Sequence, residues 1–115
     1  FIKSPKEEIL QYAVKSIQTK PIVIFGTGSG GLKVFNEINK LGIKELKYFG
    51  DNDEKKEGTI FCEVNVFKPE KLLLGKNDDI FILVASSYYD EISEQLINMG
   101  FREDVDYVDR IKYCL

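Results

Sequence analysis

Three glycines at G-x-G-x-x-G spacing, in the segment 26–31, are the residues whose types and spacing could do chemistry. They follow the apolar run Ile22–Phe25, and apolar residues at helical spacing continue from Leu32 to Leu41. When such glycines join a strand to a helix, the first allows a tight turn, the second allows close approach of a pyrophosphate, and the third allows the helix to pack closely on the strand. Backbone N–H groups at the helix start would face the anion. The predicted phosphate loop consists of Gly26, Thr27, Gly28, Ser29, Gly30 and Gly31.

A polar tip, Asp51-Asn52-Asp53, follows the second predicted strand and lies about twenty residues beyond the last glycine. An acid at this spacing binds ribose hydroxyls in dinucleotide-binding domains. Asp51 and Asp53 would repel a 2′-phosphate, so the pattern favours NAD or another nucleotide over NADP. The alternative is that both the tip and the glycine loop are turns that bind nothing.

A third polar segment, Ser86-Ser87-Tyr88-Tyr89, follows the apolar run Ile80–Ala85. Ser86 and Ser87 could contact phosphate or sugar, and Tyr88 could stack on a base or a sugar. Ser87 is explained equally well as a helix cap, and the tyrosines by packing against the helix. Two lysines near the acidic tip, Lys55 and Lys56, are interpreted as solvated loop charges.

Strands and helices are predicted to alternate with short connections, which indicates a parallel sheet. The helix after the loop should turn Leu32, Phe35, Ile38 and Leu41 inward and stop at Gly42. Ser87 and Asp90 predict a capping box for the last helix. The predicted strands are Ile22–Phe25, Glu45–Phe49, a single strand within Ile60–Phe67, Ile80–Ala85 and an edge strand Asp106–Asp109.

The predicted fold is a Rossmann-like three-layer α/β domain over residues 21–115, with sheet order 3-2-1-4 or 3-2-1-4-5. A helix within residues 1–20 precedes it. The three polar segments should meet where the strand order reverses, beyond the carboxyl ends of the strands. Because the chain starts at Phe1, we expect it to be a piece of a longer polypeptide.

The composition of the chain limits the kinds of partner that it is expected to bind. A net charge of −3 argues against a nucleic-acid surface, and no apolar run approaches the roughly 20 residues that span a bilayer. The two cysteines, Cys62 and Cys114, lack CxxC spacing and favour free thiols in a reducing cytoplasm. The sequence leaves open whether the domain forms a homodimer.

Catalytic machinery is not evident in the sequence. The chain has no histidine and no Tyr-x-x-x-Lys, and no cluster has metal-ligand spacing. S-adenosylmethionine binding would place an acid two residues before the first glycine, where Ile24 stands. We therefore predict neither catalytic nor metal-binding residues. A ligand-binding function is favoured over a catalytic one.

The chain resembles small Rossmann-like, CoA-binding-like domains of bacterial surface-polysaccharide enzymes, including the amino-terminal domain of nucleotide-sugar dehydratases and epimerases. Three segments carry the resemblance: Ile24–Gly31, Tyr48–Asp53 and Val84–Tyr89. It implies a module that binds NAD(H) or a UDP-sugar beside a covalently attached catalytic domain. In related sugar acyltransferases a histidine precedes the third loop glycine. Gly30 stands there in this chain.

Four hypotheses follow. The first is a nucleotide-binding module of an enzyme that modifies sugars or sugar nucleotides. The others are a scaffold domain with an empty crevice, the cofactor half of an NAD-dependent oxidoreductase, and part of an S-adenosylmethionine-dependent methyltransferase.

Overall fold

The structure, a computed structural model, describes residues 15–16, 19–43, 46–75 and 79–110. Most of the helix predicted within residues 1–20 lies outside these residues, as does Cys114. Within residues 22–109, the described chain forms six strands, three helices and a 3₁₀ turn at Glu54–Lys56. In order they are β1 (Ile22–Phe25), α1 (Ser29–Lys40), β2 (Leu46–Gly50), β3 (Ile60–Phe61), β4 (Val64–Phe67), α2 (Lys71–Gly75), β5 (Phe81–Val84), α3 (Tyr89–Asn98) and β6 (Tyr107–Asp109).

One sheet contains all six strands in the order β3-β4-β2-β1-β5-β6. Every neighbouring pair is parallel except β3 and β4, which are antiparallel. The α/β class and the mainly parallel sheet are confirmed. The predicted strand order is wrong at one edge, because the segment expected to hold a single strand forms a hairpin and adds β3.

The hairpin turn explains this difference. Cys62 and Glu63 connect β3 to β4 with φ angles of +52° and +66°. Two consecutive residues with positive φ are typical of a type I′ turn, which is usually signalled by Asn-Gly. Cys-Glu carries no such signal, so the sequence pattern suggested one continuous strand.

Replacing Glu63 by glycine should stabilise the protein. Glu63 is exposed and has positive φ, a conformation that costs a side-chain-bearing residue roughly 1 kcal/mol. We expect Glu63→Gly to raise the free energy of unfolding in urea by about 0.5–1 kcal/mol. Glu94→Gly, at an exposed position within α3, is the control and should lower it by about 1 kcal/mol. Destabilisation by both changes would contradict the turn assignment.

Two apolar layers cover the faces of the sheet. Ile22 and Ile24 of β1 pack in one cluster with residues of α1, and Val23 and Phe25 pack in the other with residues of α3. All four are at most 1% exposed, as expected for a strand covered on both faces. The helices therefore lie on both sides of the sheet.

The helical face predicted for α1 is partly wrong. Leu32 and Leu41 are 45% and 70% exposed, whereas Gly31, Val34 and Ile38 are buried. Gly31 packs directly on the backbone of the preceding turn, and this contact sets the rotation of the helix. Positions three and seven residues later then face the sheet.

Glycines end α1 and α3 as predicted. Gly42 has φ of +74°, and the N–H of the next residue, Ile43, donates to the carbonyl of Ile38. Gly100 has φ of +96°, and Phe101 N–H donates in the same way to Leu96. Both ends match the Schellman motif, in which glycine takes the left-handed conformation.

Candidate functional site

The carboxyl ends of β1, β2 and β5 lie side by side and bring the three predicted polar segments together. A cavity of about 320 Å³ lies between them. Gly26, Asp51, Asn52, Ser86 and Tyr88 line it, together with Phe25, Glu91 and Ile92. This is the edge of an α/β sheet at which ligands bind, next to the point where the strand order reverses.

Close packing at the start of α1 requires three glycines of the loop. A Cβ on Gly31 would lie 2.1 Å from the carbonyl oxygen of Gly26. Cβ atoms on Gly26 and Gly30 would lie 2.6 and 2.7 Å from the carbonyl oxygen of Ala85, and Gly26 also has φ of +124°. The histidine of the sugar acyltransferases, placed at Gly30, would meet the Ala85 carbonyl unless the backbone moved.

Gly28 is different from the other loop glycines. A Cβ added to it would meet no atom within 4 Å, and its φ of −90° is open to any residue. It is the N-cap of α1, with no side-chain hydrogen bond and no acidic residue in the first turn. The first N–H groups of a helix have no acceptor within that helix. The open space at Gly28 therefore adjoins backbone donors suited to an anion.

Asp51 is turned toward the glycine loop. Its Oδ2 accepts hydrogen bonds from Thr27 N at 3.1 Å and Thr27 Oγ1 at 2.6 Å, and its Oδ1 accepts from Asp53 N at 2.8 Å. Burial acts to raise the pKa of Asp51, but these hydrogen bonds and the charge of Lys56 outweigh it and lower the pKa. The carboxylate is thus ionised and fixes the loop. A carboxylate oxygen accepts about two bonds, which leaves Oδ1 one position for a ligand hydroxyl.

Lys56 lies at the loop, contrary to its interpretation as a solvated charge. Its Nζ donates to Thr27 Oγ1 at 2.8 Å and lies 3.9 Å from Asp51 Oδ2. Thr27 is 6% exposed, so its hydroxyl links the lysine and the aspartate at a mostly buried position. No spacing rule signals this contact, because it depends on how the 3₁₀ turn folds back. Asp53 caps that turn by accepting a hydrogen bond from Lys55 N.

Asn52 does not face the loop. Its side-chain amide pairs reciprocally with that of Gln95 on α3, with both N–O distances at 3.0 Å. The pair joins the tip after β2 to α3 beside the cavity. Sequence reasoning missed Gln95, since only the fold brings the two amides together.

The segment after β5 presents one hydroxyl and one ring to the cavity. Ser86 and Tyr88 line it, and Tyr88 is 69% exposed. The predicted capping role of Ser87 is wrong: Tyr88 is the N-cap of α3 without a side-chain bond, and Ser86 Oγ accepts from Tyr88 N. Tyr89 packs away from the site and donates to Glu103.

A second cavity, of about 470 Å³, lies between α2 and α3 and contains none of the predicted site residues. Among the described residues, no group of acidic or thiol side chains is arranged to hold a metal ion. Within the same ranges, no helix has the length and apolar character needed to cross a membrane.

Comparisons with known proteins agree with the fold. A family model described as "C2185-like, N-terminal" matches residues 18–105. The crystal structure of UDP-D-quinovosamine 4-dehydrogenase from Vibrio fischeri is 28% identical, with a TM-score of 0.57 over 70% of this chain and 71% of that chain. The structure of RSP, a Rex-family repressor, is 16% identical, with a TM-score of 0.60 over 91% of this chain, and the match spans only 57% of the repressor. No curated protein sequence matches the chain.

Proposed function

We propose that this chain, which belongs to the C2185-like N-terminal family, is a nucleotide-binding module of an enzyme that acts on sugars or sugar nucleotides. Its ligand is NAD(H) or a UDP-sugar, and a covalently attached neighbouring domain performs the chemistry in the cytoplasm. The similarity to UDP-D-quinovosamine 4-dehydrogenase supports the sugar-nucleotide setting. The resemblance of the three loop segments is the reason for which we propose bacterial surface-polysaccharide synthesis as the pathway.

The open space at Gly28 is the observation that carries this proposal. The packing of the chain accounts for Gly26, Gly30 and Gly31, but it does not account for a glycine at position 28. A phosphate next to this position does account for it, since a side chain would fill the space that the phosphate needs. The N–H groups of Ser29 and Gly30 would then donate to the phosphate.

The rest of the ligand fits the surrounding groups. Oδ1 of Asp51 has capacity for one ribose hydroxyl, although most of the carboxylate is used by the loop. The 320 Å³ cavity is at the small end of the range for ligand pockets and suits a base or a sugar ring. Ser86 provides a hydroxyl there, and the exposed ring of Tyr88 provides a stacking surface.

Replacing Gly28 by valine is expected to weaken nucleotide binding by roughly tenfold or more, because the side chain excludes the phosphate from its donors. Calorimetric titration of the wild type and the variant with NADH, NAD, UDP-GlcNAc and S-adenosylmethionine measures this effect. Asn36→Val is the matched control, since Asn36 is an exposed residue of the same helix, away from the loop. It should bind like the wild type.

Each alternative function predicts that a different set of these compounds binds in the titrations. A scaffold domain would bind none of the four compounds at millimolar concentration. A methyltransferase part would bind S-adenosylmethionine in preference to the others. Tighter binding of NADH than of UDP-GlcNAc would favour the cofactor half of an oxidoreductase. In that case, the sequence that flanks this segment would encode the substrate domain.

A further inference from the structure

Lys56 is held beside the glycine loop with most of its donors unused. An ammonium group has three N–H donors, and one of them bonds to Thr27 Oγ1. Asp51 Oδ2, at 3.9 Å, is too distant for a second hydrogen bond. Two donors therefore have no partner among the described residues. The side chain is 41% exposed, so these donors are open to solvent next to the loop.

Several acidic residues lie close to Lys56 in the sequence. Asp51 and Asp53 follow β2, and Glu54 and Glu57 lie in and after the 3₁₀ turn. These carboxylates would oppose the approach of a phosphate to the loop. Lys56 Nζ lies 3.9 Å from Asp51 Oδ2, so its positive charge offsets the charge of this carboxylate. Lys55, its neighbour, has no side-chain contact of this kind within the described chain.

We propose that Lys56 binds a phosphate of the nucleotide and makes the site selective for a nucleoside diphosphate. This inference rests on the proposed function and names the group by which that site recognises its ligand. Thr27 immediately precedes Gly28 in the loop, and its hydroxyl holds the ammonium there. A diphosphate at Gly28 would then have this ammonium as a donor in addition to the N–H groups at the start of α1. The lysine would contribute a point charge whose two remaining N–H groups donate to the nearest phosphate oxygen.

The competing explanation is that Lys56 only holds Thr27 and Asp51 in place. The two roles predict different ligand profiles. A phosphate-binding lysine affects nucleotides but not nucleosides. A purely structural lysine affects both, since it would disturb the loop and the cavity beside it.

The test measures the affinities of ADP, UDP, adenosine and uridine for the wild type, Lys56→Ala, Lys56→Arg and Lys55→Ala. We expect Lys56→Ala to weaken ADP or UDP binding by roughly 10- to 100-fold, the range of a charge-assisted hydrogen bond. Nucleoside affinity should stay the same. Lys56→Arg should recover most of the loss, and Lys55→Ala should change affinity less than about threefold, as exposed charges do. If Lys56→Ala does not fold, Lys56→Gln removes the charge and keeps a donor for Thr27.

Three results would overturn the inference. Equal losses for Lys55→Ala and Lys56→Ala would indicate a general surface-charge effect. Equal losses for nucleosides and nucleotides would indicate the structural role, and unchanged diphosphate binding in Lys56→Ala would exclude a contact. A wild type that binds none of the four compounds would instead refute the proposed function, which keeps the two failures distinct.

Discussion

Replacing Gly31 by alanine is expected to lower the free energy of unfolding by about 3 kcal/mol, which is large for a single methyl group. The added Cβ would lie 2.1 Å from the carbonyl oxygen of Gly26, a backbone atom that cannot move aside as a side chain can. The carbonyl belongs to the turn that joins β1 to α1, so relief requires the helix to shift away from the sheet. Urea denaturation followed by circular dichroism measures the loss.

Gly28→Ala is the matched control, because the same methyl group at position 28 meets no atom within 4 Å. Alanine is a poorer N-cap than glycine, so a loss below about 1 kcal/mol is expected. Similar losses for the two variants would show that the helix does not pack as closely on the turn as described.

The Asp51→Ala variant should lose about 2–3 kcal/mol of stability at neutral pH, because three hydrogen bonds disappear together. Two of them come from Thr27, which is only 6% exposed and would keep a poorly solvated N–H without an acceptor. Asp53→Ala is the control: its carboxylate accepts one exposed hydrogen bond at the 3₁₀ turn, and its loss should be below about 1 kcal/mol.

The same comparison has a defined pH dependence. The pKa of Asp51 is lower in the folded protein than its ordinary value near 4. Its contribution is therefore complete above about pH 4 and is lost as the pH falls through the folded-state pKa. We expect the stability difference between the wild type and Asp51→Ala to be constant from pH 7 to 5 and to shrink below pH 4. A difference that grew on acidification would contradict the hydrogen-bond assignment.

Patterns within one segment predicted most of the fold. The apolar runs at Ile22–Phe25 and Ile80–Ala85 contain the buried, adjacent strands β1 and β5, as expected for short apolar runs in a sheet that is covered on both faces. Glycines marked the ends of α1 and α3. The errors arose at backbone features that no residue pattern signals. The packing of Gly31 sets the rotation of α1. The turn at Cys62 and Glu63 divides the segment that was predicted as one strand into β3 and β4.

The candidate site divides in the same way. The meeting of the three polar segments followed from the topology, because parallel strands end at a common edge. The topology did not, however, predict the direction in which each side chain points. Asp51 points to Thr27, Asn52 pairs with Gln95, and Lys56 reaches the loop from a turn that has no sequence signature. These contacts depend on the path of the chain after β2.

The carbonyl oxygen of Ala85 faces two of the loop glycines, and the carbonyl of Gly26 faces a third. Three glycines of the loop, two of which belong to the G-x-G-x-x-G pattern, are thus required by the close packing of the helix on its strands, and a domain without any ligand would need them as well. Under the proposed function, position 28 is the loop glycine that a phosphate ligand requires. Among relatives of this chain, we therefore expect the other loop glycines to mark the architecture, and the residue at position 28 to differ between relatives that bind a phosphate there and relatives that share only the fold.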